Sequence, residues 1–474
     1  MRPKQAYARK VSMSVFFFKI TLKKQRFNTK KEERQMNRKI KVALAGLGSR
    51  GKDTYAKAAE LFPEKMEITA IADINPQKIA MVAERYHIPK ERCYASAEDM
   101  LKEDKLADVM FITTQDRQHV KQAIPALRKG YHLLLEKPIS PELEECRELS
   151  KVARECGKMV VVCHVLRYTP VFRKVKEILD SGVLGDIVSI NASENVGWYH
   201  MAHSFVRGNW RNAELSSPMI LQKCCHDMDL YLWLAGKTCE SLTSYGSTYL
   251  FKEENAPAGS PLRCLEGCPE SATCPYNAER IYLDDERIGA RTGHTGWPLN
   301  IVTEIPTPES VEKALREGPY GRCVYHCDND VVDHQVVNLN MTDGSTMSFS
   351  MNGHTADFAR HAQFCGTKGE MKVTMGGLDL EEDFIETSIF GPKVQTDRIP
   401  AASLSDDFSG HGGGDLTMVE EFLDILLGNA KPSPSITSLD QSLESHYCAL
   451  AAEISRKEGG KPICLEDVRT GKIQ

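Results

Sequence analysis

Short apolar runs alternate with amphipathic segments along the first third of the chain. The runs have the length of buried strands, and the segments between them have the spacing of helices with one apolar face. Strands are predicted at 40–46, 67–73, 107–113, 131–135 and 159–164, and helices near 49–61, 76–85, 117–129 and 141–156. This alternation predicts right-handed βαβ units and a parallel sheet, whose ligands bind at the carboxyl ends of the strands.

The pattern changes from about residue 165. Longer strands with alternating apolar and polar positions are predicted at 185–196, 239–248, 332–340, 345–352, 358–365 and 369–375, with helices at 218–235, 415–428 and 438–457. They predict a mostly antiparallel, open sheet with one buried face and one face free to bind substrate or another subunit. Residues from about 250 to 330 are rich in Pro, Gly, Cys and charge, and we predict that they form an insertion.

The first predicted strand runs directly into a glycine triplet, Gly46-x-Gly48-x-x-Gly51, with Ser49 and Arg50 between the last two glycines. In this position the first glycine permits a tight turn, and the second lets the backbone approach a pyrophosphate. The third lets the following helix pack close to the strand, with its N-terminus towards the phosphates. The sequence therefore predicts a Rossmann dinucleotide-binding domain over 39–164.

Asp73 closes the second predicted strand. A carboxylate there can accept hydrogen bonds from a ribose diol and would repel a 2′-phosphate, so it favours NAD over NADP.

Composition and charge narrow the class of protein. The 474 residues with 41% hydrophobic content suit about two or three domains, and no apolar run reaches the roughly 20 residues that span a bilayer. The first 39 residues hold 13 Lys and Arg against two Glu, and we predict a disordered extension over 1–38; a nucleic-acid or membrane-surface arm is the alternative. The rest of the chain has a net negative charge, which argues against nucleic acid as a substrate. The scattered cysteines favour a location in the cytoplasm, where thiols stay reduced.

The fifth predicted strand ends in Glu136-Lys137-Pro138. A surface ion pair is the ordinary explanation for charges at a strand end, but this end faces the predicted cofactor crevice. A Lys137 ammonium there could hydrogen-bond a substrate hydroxyl and favour its alkoxide as hydride leaves.

Together these motifs resemble the glucose–fructose oxidoreductase, inositol dehydrogenase and rhizopine-catabolism (Gfo/Idh/MocA) family. The resemblance rests on the glycine loop 46–51, Asp73, Thr113-Thr114…His119, Glu136-Lys137-Pro138, Cys225-His226-x-x-Asp229, Gly366-Thr-Lys-Gly369 and the final helix 438–457. It covers about 39–474 apart from the cysteine-rich insertion.

The resemblance implies a Rossmann domain followed by a C-terminal α/β domain, 165–474, built on an open sheet. It implies an enzyme that uses NAD or NADP to oxidise or reduce a carbon of a sugar, polyol or related compound. It also implies a homodimer or homotetramer formed through that sheet. Cofactor contacts are expected from the whole glycine loop, and also from Asp73, Thr113, Thr114, His119, Glu136 and Lys137.

His226 is the expected catalytic base, paired with Lys137. Its unperturbed pKa of about 6.5 is close to working pH, and the resemblance lifts it above an ordinary structural histidine. Many family members carry a carboxylate four residues earlier, where this chain has Gln222. Lys223 could adjust the pKa of His226 or bind substrate directly.

Further substrate contacts are expected from Arg167, Tyr168, Trp198, Trp210 and Arg211, with Lys223. Aromatic faces stack on the C–H face of sugars, and Arg binds hydroxyls or carboxylates; ordinary packing would explain them equally well. The glycine-rich stretch 411–415 is expected to be a mobile loop that closes over substrate, with Asp415 as a helix N-cap. A plain linker is the alternative.

The insertion contains Cys264-x3-Cys268-x5-Cys274, and Cys323-x3-Cys327 closes it. Four thiolates, Cys264, Cys268, Cys274 and Cys323, could hold a structural zinc ion, which we favour over an iron–sulfur cluster. Cys327 or His326 could replace Cys323. The alternative is a set of unrelated free cysteines or an oxidised pair.

The sequence therefore predicts an NAD(P)-dependent dehydrogenase acting on a secondary alcohol of a sugar, polyol or glycoside. A glycoside-cleaving enzyme that retains NAD and works through transient oxidation is the first alternative. A non-catalytic NAD-binding protein is the second.

Overall fold

The structure is a computed structural model that describes residues 38–356, 358–376, 383–405 and 409–473. Residues 1–37 of the predicted basic extension lie outside the described residues. Within the described ranges, no helix is both long enough and apolar enough to cross a membrane.

The first sheet has six strands in the order β3-β2-β1-β4-β5-β6, and each neighbouring pair is parallel. Its strands are β1 Ile40–Ala45, β2 Met66–Ala72, β3 Cys93–Tyr94, β4 Val109–Ile112, β5 His132–Leu135 and β6 Val160–Val162. The chain moves outward from β1 on one side and returns to its other side with β4. This reversal opens a crevice at the carboxyl ends of β1 and β4. The predicted parallel sheet is confirmed; the short edge strand β3 was not predicted.

Helices flank this sheet on both faces. They span Ala58–Leu61, Pro76–Arg85, Ala97–Met100, His119–Arg128 and Leu143–Cys156. The predicted helix 49–61 begins instead as a π-helical turn, Ser49–Tyr55. Part of one face is covered by a late segment of the chain, the helix Gly414–Leu427, which shares an apolar core with β1 and β4.

The second sheet has nine strands in the order β14-β13-β12-β11-β7-β10-β9-β8-β15. They are β7 Ile187–Asn195, β8 Cys239–Ser247, β9 His334–Met341, β10 Thr346–Asn352, β11 Arg360–Gly366, β12 Gly369–Met375, β13 Phe384–Ile389, β14 Gln395–Pro400 and β15 Ile463–Cys464. Within the described part of this sheet only β7 and β10 pair in parallel, and the other neighbouring pairs are antiparallel. The predicted mostly antiparallel sheet is confirmed, whereas β13, β14 and β15 were not predicted.

Helices cover one face of this sheet. In the second part of the chain helices span Pro170–Asp180, Trp198–His200, Met219–Gln222, Cys225–Ala235, Leu299–Val302, Pro308–Glu317, Ser409–Gly412, Gly414–Leu427, Leu439–Lys457 and Leu465–Arg469. Tyr231 packs against Phe349 and Phe364 of the sheet. Tyr245 and Val336, which alternate with buried positions of β8 and β9, are exposed on the opposite face. Assembly through this face stays a prediction.

The predicted boundary at 164–165 falls between β6 and β7, and the predicted insertion falls between β8 and β9. These two sheets and the connection after β6 bring the site residues together.

Candidate active site

The predicted cofactor residues follow the carboxyl ends of the parallel strands. Gly46 follows β1, Asp73 follows β2, Thr113 follows β4 and Glu136 follows β5. Because all strands run in the same direction, these residues lie along one edge of the sheet, above the crevice.

The glycine loop has the steric properties that a pyrophosphate site needs. Gly46 has a φ of +90°, and a Cβ placed on it would lie 2.5 Å from the Thr113 carbonyl oxygen. A Cβ on Gly51 would lie 2.0 Å from the Gly46 carbonyl oxygen, whereas a Cβ on Gly48 would meet no atom of the described residues within 4 Å. Two glycines therefore serve close packing, and the Gly48 backbone, followed by half-buried Ser49, is open to a ligand.

Asp73 is half-buried and supports the same loop. Its carboxylate accepts hydrogen bonds from the Leu47 amide at 2.5 Å and from the Asn75 amide at 2.8 Å. Each carboxylate oxygen retains acceptor capacity, so Asp73 can shape the loop and still bind a ribose diol.

Thr113, Thr114 and His119 hold the backbone around the crevice. The Thr113 hydroxyl donates to the Gly46 carbonyl at 2.6 Å, and the Thr114 hydroxyl donates to the Gln122 side chain at 2.8 Å. The two ring nitrogens of buried His119 lie 2.7 Å from the Pro138 carbonyl and 3.0 Å from the Thr114 carbonyl. These side chains connect the loops after β4 and β5.

Arg50 lies between two carboxylates. Its Nε donates to Glu136 at 2.7 Å, and its two Nη atoms donate to Asp415 at 2.7 and 3.0 Å. Burial opposes ionisation of both acids, but the Arg50 charge holds the pKa of each carboxyl below its usual value. Arg50 therefore joins the glycine loop to the late helix Gly414–Leu427.

The prediction that Asp415 is an N-cap is wrong. Gly413 occupies the N-cap position, in a left-handed conformation with φ of +81°. The Asp415 carboxylate is instead shared by Arg50 and the His411 ring, whose Nδ1 lies 3.2 Å away. The carboxylate pairs with Arg50 of the first domain and does not cap the helix. Local sequence cannot reveal a partner so far away in the chain.

Lys137 reaches from the first domain to the second. Its amide donates to the Glu136 carboxylate at 2.9 Å, and its Nζ donates to the Gln222 carbonyl at 2.8 Å. The predicted helix 218–235 is interrupted at this point, between Met219–Gln222 and Cys225–Ala235. A carbonyl at a helix end has no partner within its helix, and Lys137 provides one.

His226 is the second residue of the helix Cys225–Ala235 and is buried. Its Nδ1 has no hydrogen-bond partner among the described residues. Its ring centre lies 5.7 Å from those of His164 and His411. Burial lowers the pKa of His226 well below its ordinary value, and the charge of Lys137 lowers it further. The imidazole is therefore neutral near pH 7 and able to accept a proton.

Two buried histidines that the sequence analysis did not identify complete this cluster. His446 accepts the Ile139 amide at Nε2, 2.7 Å away, and its Nδ1 lies 2.8 Å from the Ser442 carbonyl. It thus holds the backbone directly after Lys137-Pro138. His164 lies between His446 and His226, with ring centres 5.6 and 5.7 Å away. The residues next to His164 and His446 in the sequence do not indicate that they lie near His226, since the three histidines come from distant segments of the chain.

Arg167 is buried behind His226. Its guanidinium donates two hydrogen bonds of 2.6 Å to Asp229, one helical turn after His226. The neighbouring Tyr168 is also buried, with its hydroxyl 3.2 Å from the Thr437 hydroxyl. The structure therefore places both of these predicted substrate residues in supporting contacts.

Lys223 belongs to a buried charge network beside His226. Its Nζ lies 3.0 Å from Glu194, whose carboxylate also pairs with Arg360 at 3.0 Å. Arg360 in turn pairs with Asp227 at 2.8 Å. Glu194 and Arg360 were not predicted, because the sequence analysis treated the strands that carry them only as parts of the sheet.

The predicted aromatic contacts form a wall near this network. Trp198 is half-buried, 6.0 Å from the Tyr276 ring centre, and Trp210 packs against Phe205 at 6.1 Å. The His200 ring lies 4.9 Å from that of Trp297, and its pKa is lowered by burial and then by Lys223. His200, two residues after Trp198, therefore lies in the electrostatic field of the site.

Arg211 is directed elsewhere. It pairs with Asp328 through two hydrogen bonds, at 2.7 and 3.0 Å, at the exposed base of the insertion.

The insertion also contacts the first domain. Glu304 lies 3.3 Å from Lys52, directly after the glycine loop, and 3.3 Å from Lys78. The site is thus bounded by the Rossmann crevice, the helix bearing His226 and part of the insertion.

The comparisons with known proteins agree with this architecture. Residues 40–164 match the oxidoreductase family, NAD-binding Rossmann fold, and residues 172–261 match the GFO/IDH/MocA C-terminal domain. The chain is 24% identical over 399 residues to a putative oxidoreductase, YteT, of Bacillus subtilis, covering 82% of this chain and 88% of that protein. It is 24% identical over 208 residues to an inositol 2-dehydrogenase of Salmonella paratyphi B, covering 44% of this chain and 57% of that protein.

A solved structure shows the same fold. The WlbA dehydrogenase of Bordetella pertussis, in complex with NADH and UDP-GlcNAcA, aligns with 90% of this chain and 98% of its own at a TM-score of 0.64 and 18% identity. The matched family models cover both sheets in part, and the motifs around Gly46 and Lys137 fall within the first of them. The chain belongs to the Gfo/Idh/MocA family of NAD(P)-dependent oxidoreductases.

Proposed function

We propose that this protein oxidises a secondary alcohol of a sugar, polyol or glycoside, with NAD as hydride acceptor. One observation carries the proposal: Lys137 from the Rossmann domain contacts the backbone that leads into His226, a buried imidazole whose Nδ1 has no hydrogen-bond partner among the described residues. Removal of a hydroxyl proton requires a neutral base and is helped by a cation in the same cleft.

The glycine loop is suited to hold the cofactor, because the Gly48 position is open where a side chain would otherwise stand. When bound, NAD supplies the nicotinamide carbon that accepts the hydride. His226 takes the hydroxyl proton, and the Lys137 ammonium stabilises negative charge on the substrate oxygen. His446 and the Arg167–Asp229 pair keep these two groups in position.

Asp73 supports the choice of NAD. A 2′-phosphate at the ribose would meet a carboxylate already fixed by the Leu47 and Asn75 amides, and that contact is repulsive. Lys52 and Lys78 could attract such a phosphate, but both are paired with Glu304.

Lys223, His200 and Trp198 are our candidates for substrate binding, and Trp210 borders the same wall. They combine a cation, an imidazole and an aromatic face, a set suited to polyhydroxylated rings. The names of two similar proteins, an inositol 2-dehydrogenase and a dehydrogenase bound to a UDP-sugar, support this substrate class. We assign Arg167 and Tyr168 to support of the site.

A substrate screen tests the proposal directly. The purified chain is incubated with NAD, or with NADP, and a panel of sugars, polyols and glycosides, while absorbance of the reduced cofactor and release of free sugar are both followed. We expect NADH to form with one substrate class and NADPH to form more slowly. Free sugar without net NADH would instead identify a glycoside-cleaving enzyme that retains NAD.

The pH dependence of kcat/KM provides a second test. Because burial lowers the pKa of His226, its neutral form persists as pH falls below the ordinary histidine value of about 6.5. We expect kcat/KM to stay level from pH 8 through 6.5 and to fall only at lower pH. His226→Asn should remove most activity together with this acid limb, and an acid limb centred above pH 7 would exclude His226 as the base.

A further inference from the structure

The cysteine-rich part of the insertion lacks an apolar core. No side chain from Lys252 to Pro275 is buried, although all these residues are described. The later part of the insertion differs, because Tyr282, Leu283 and Leu315 share an apolar cluster. A segment that buries so little needs another source of order, such as a metal or a disulfide.

The four predicted ligands surround one cavity. Cys264, Cys268, Cys274 and Cys323 all line a cavity of about 20 Å³. Such a volume is enough for a single ion or water.

The backbone brings two of these cysteines together from distant parts of the sequence. The Cys264 amide donates to the Gly321 carbonyl at 2.9 Å, and the Cys323 amide donates to the Leu262 carbonyl at 2.8 Å. These bonds form an antiparallel bridge between Arg263 and Arg322. The cysteines on both sides of this bridge close the insertion at its base.

A buried arginine beside the cavity supplies an independent indication of a negative charge. Arg207 is fully buried, and its hydrogen bonds go to the carbonyls of Arg322 at 2.7 Å and Tyr276 at 2.6 Å. Its Nη2 lies 3.6 Å from the Cys264 sulfur. Among the described residues, Nη1 has no hydrogen-bond partner and no carboxylate pairs with this guanidinium. A buried, unpaired cation is costly unless an anion lies close to it.

As they stand, the thiols surround the cavity without meeting at a point. Within the described ranges, no three His, Cys, Asp or Glu side chains are arranged to hold a metal ion. The Cys264 sulfur lies 3.9 Å from the Arg322 carbonyl. Burial raises the pKa of the Cys274 and Cys323 thiols, which are therefore protonated in this arrangement. Ligation requires loss of these protons and inward rotation of the sulfurs.

The two other candidate ligands, Cys327 and His326, do not line this cavity. The Cys327 sulfur donates to the Cys323 carbonyl at 3.3 Å, and the His326 Nε2 lies 3.2 Å from the Ser260 hydroxyl. Of the alternatives for the fourth position, the structure therefore favours Cys323.

We propose that Cys264, Cys268, Cys274 and Cys323 bind one structural zinc ion, whose tetrathiolate charge is partly offset by Arg207. Zinc prefers four thiolates in tetrahedral geometry when its role is structural. The ion would order the segment that ends at Tyr276, whose ring packs against Trp198 and Phe251. It would thus brace the aromatic wall of the candidate active site, independently of which substrate binds there.

Metal analysis of the full chain tests this proposal. We expect about one zinc ion per chain after purification without added metal, measured by elemental mass spectrometry. Cys323→Ser should lose the zinc, whereas Cys327→Ser, four residues away, is the matched control and should keep it. A chain that takes up no zinc, a chain that contains iron instead, or zinc retained by Cys323→Ser would overturn the assignment.

X-ray absorption on the unmodified protein keeps the test decisive if a serine variant fails to fold. Four sulfur neighbours at about 2.3 Å would support the site. A shell of mainly nitrogen or oxygen, or a disulfide between two of the four cysteines in a non-reducing peptide map, would overturn it.

Discussion

Lys137→Met is expected to lower kcat by about 10²- to 10³-fold while leaving NADH affinity roughly unchanged. The loss corresponds to removing one positioned group that stabilises charge in the transition state. The Lys137 Nζ contacts the Gln222 carbonyl beside His226, not the glycine loop, so the cofactor should still bind. Steady-state kinetics on the substrate found by the screen, with fluorescence titration of NADH, measures both quantities.

Lys223→Met is the matched comparison. Lys223 also lies near His226, but it pairs with Glu194 at 3.0 Å, and we place it in substrate binding. This variant should raise KM more than it lowers kcat. If Lys137→Met leaves turnover intact, Lys137 is not catalytic. If neither the native chain nor the variants turn over any substrate, the non-catalytic NAD-binding alternative gains support.

Arg167→Leu is expected to destabilise the fold by about 3–5 kcal/mol, the range found when one partner of a buried ion pair is removed. Arg167 and Asp229 are both almost fully buried, and two hydrogen bonds of 2.6 Å join them. The variant would leave the Asp229 carboxylate buried without its counter-charge. Denaturant unfolding of the native chain and the variant measures the difference in the free energy of unfolding.

The loss of stability in Arg167→Leu should change with pH in one direction. Burial already raises the pKa of Asp229, and removing Arg167 raises it further. A carboxyl with a raised folded-state pKa destabilises the protein above that pKa and ceases to do so once it is protonated. The deficit of Arg167→Leu should therefore be largest near neutral pH and become smaller as the pH falls.

Two further variants test whether Arg167 stabilises the fold or binds substrate. Arg173→Leu removes a more exposed pair with Glu421 and should cost only about 0–1 kcal/mol. The double variant Arg167→Leu with Asp229→Leu should recover much of the lost stability, because no unpaired charge remains. If Arg167→Leu folds as stably as the native chain but raises KM, the original prediction of a substrate contact would be restored.

Local sequence features were sufficient for five of the six strands of the first sheet and for the loop of the cofactor site. The apolar runs that form β1, β2, β4 and β5 are short, almost continuously buried and separated by helices, so their length and their position between helices identify them. The β13 and β14 strands were missed because they carry mixed polar residues and lie at the exposed end of the second sheet. Their conformation depends on pairing with β12, which is a non-local contact.

The helix around His226 is a feature that local sequence could not predict correctly. The sequence predicts a continuous helix over 218–235. In the structure Lys137 binds the Gln222 carbonyl, and the helix is interrupted after this residue. Asp415 is a reasonable N-cap by type and position, yet its carboxylate pairs with Arg50, 365 residues earlier. Both outcomes depend on partners from the other domain.

The sequence by itself determined the Rossmann architecture, the Gfo/Idh/MocA resemblance, the glycine loop and the presence of Lys137 and His226, because strand periodicity and glycine stereochemistry act over a few residues. The tertiary structure alone decided which charges are paired and which are free to act. Arg167 became a partner of Asp229, Arg50 a link between domains, and His226 a neutral imidazole. Burial and the nearest charges determine those states, and both are properties of segments that meet only in the folded protein.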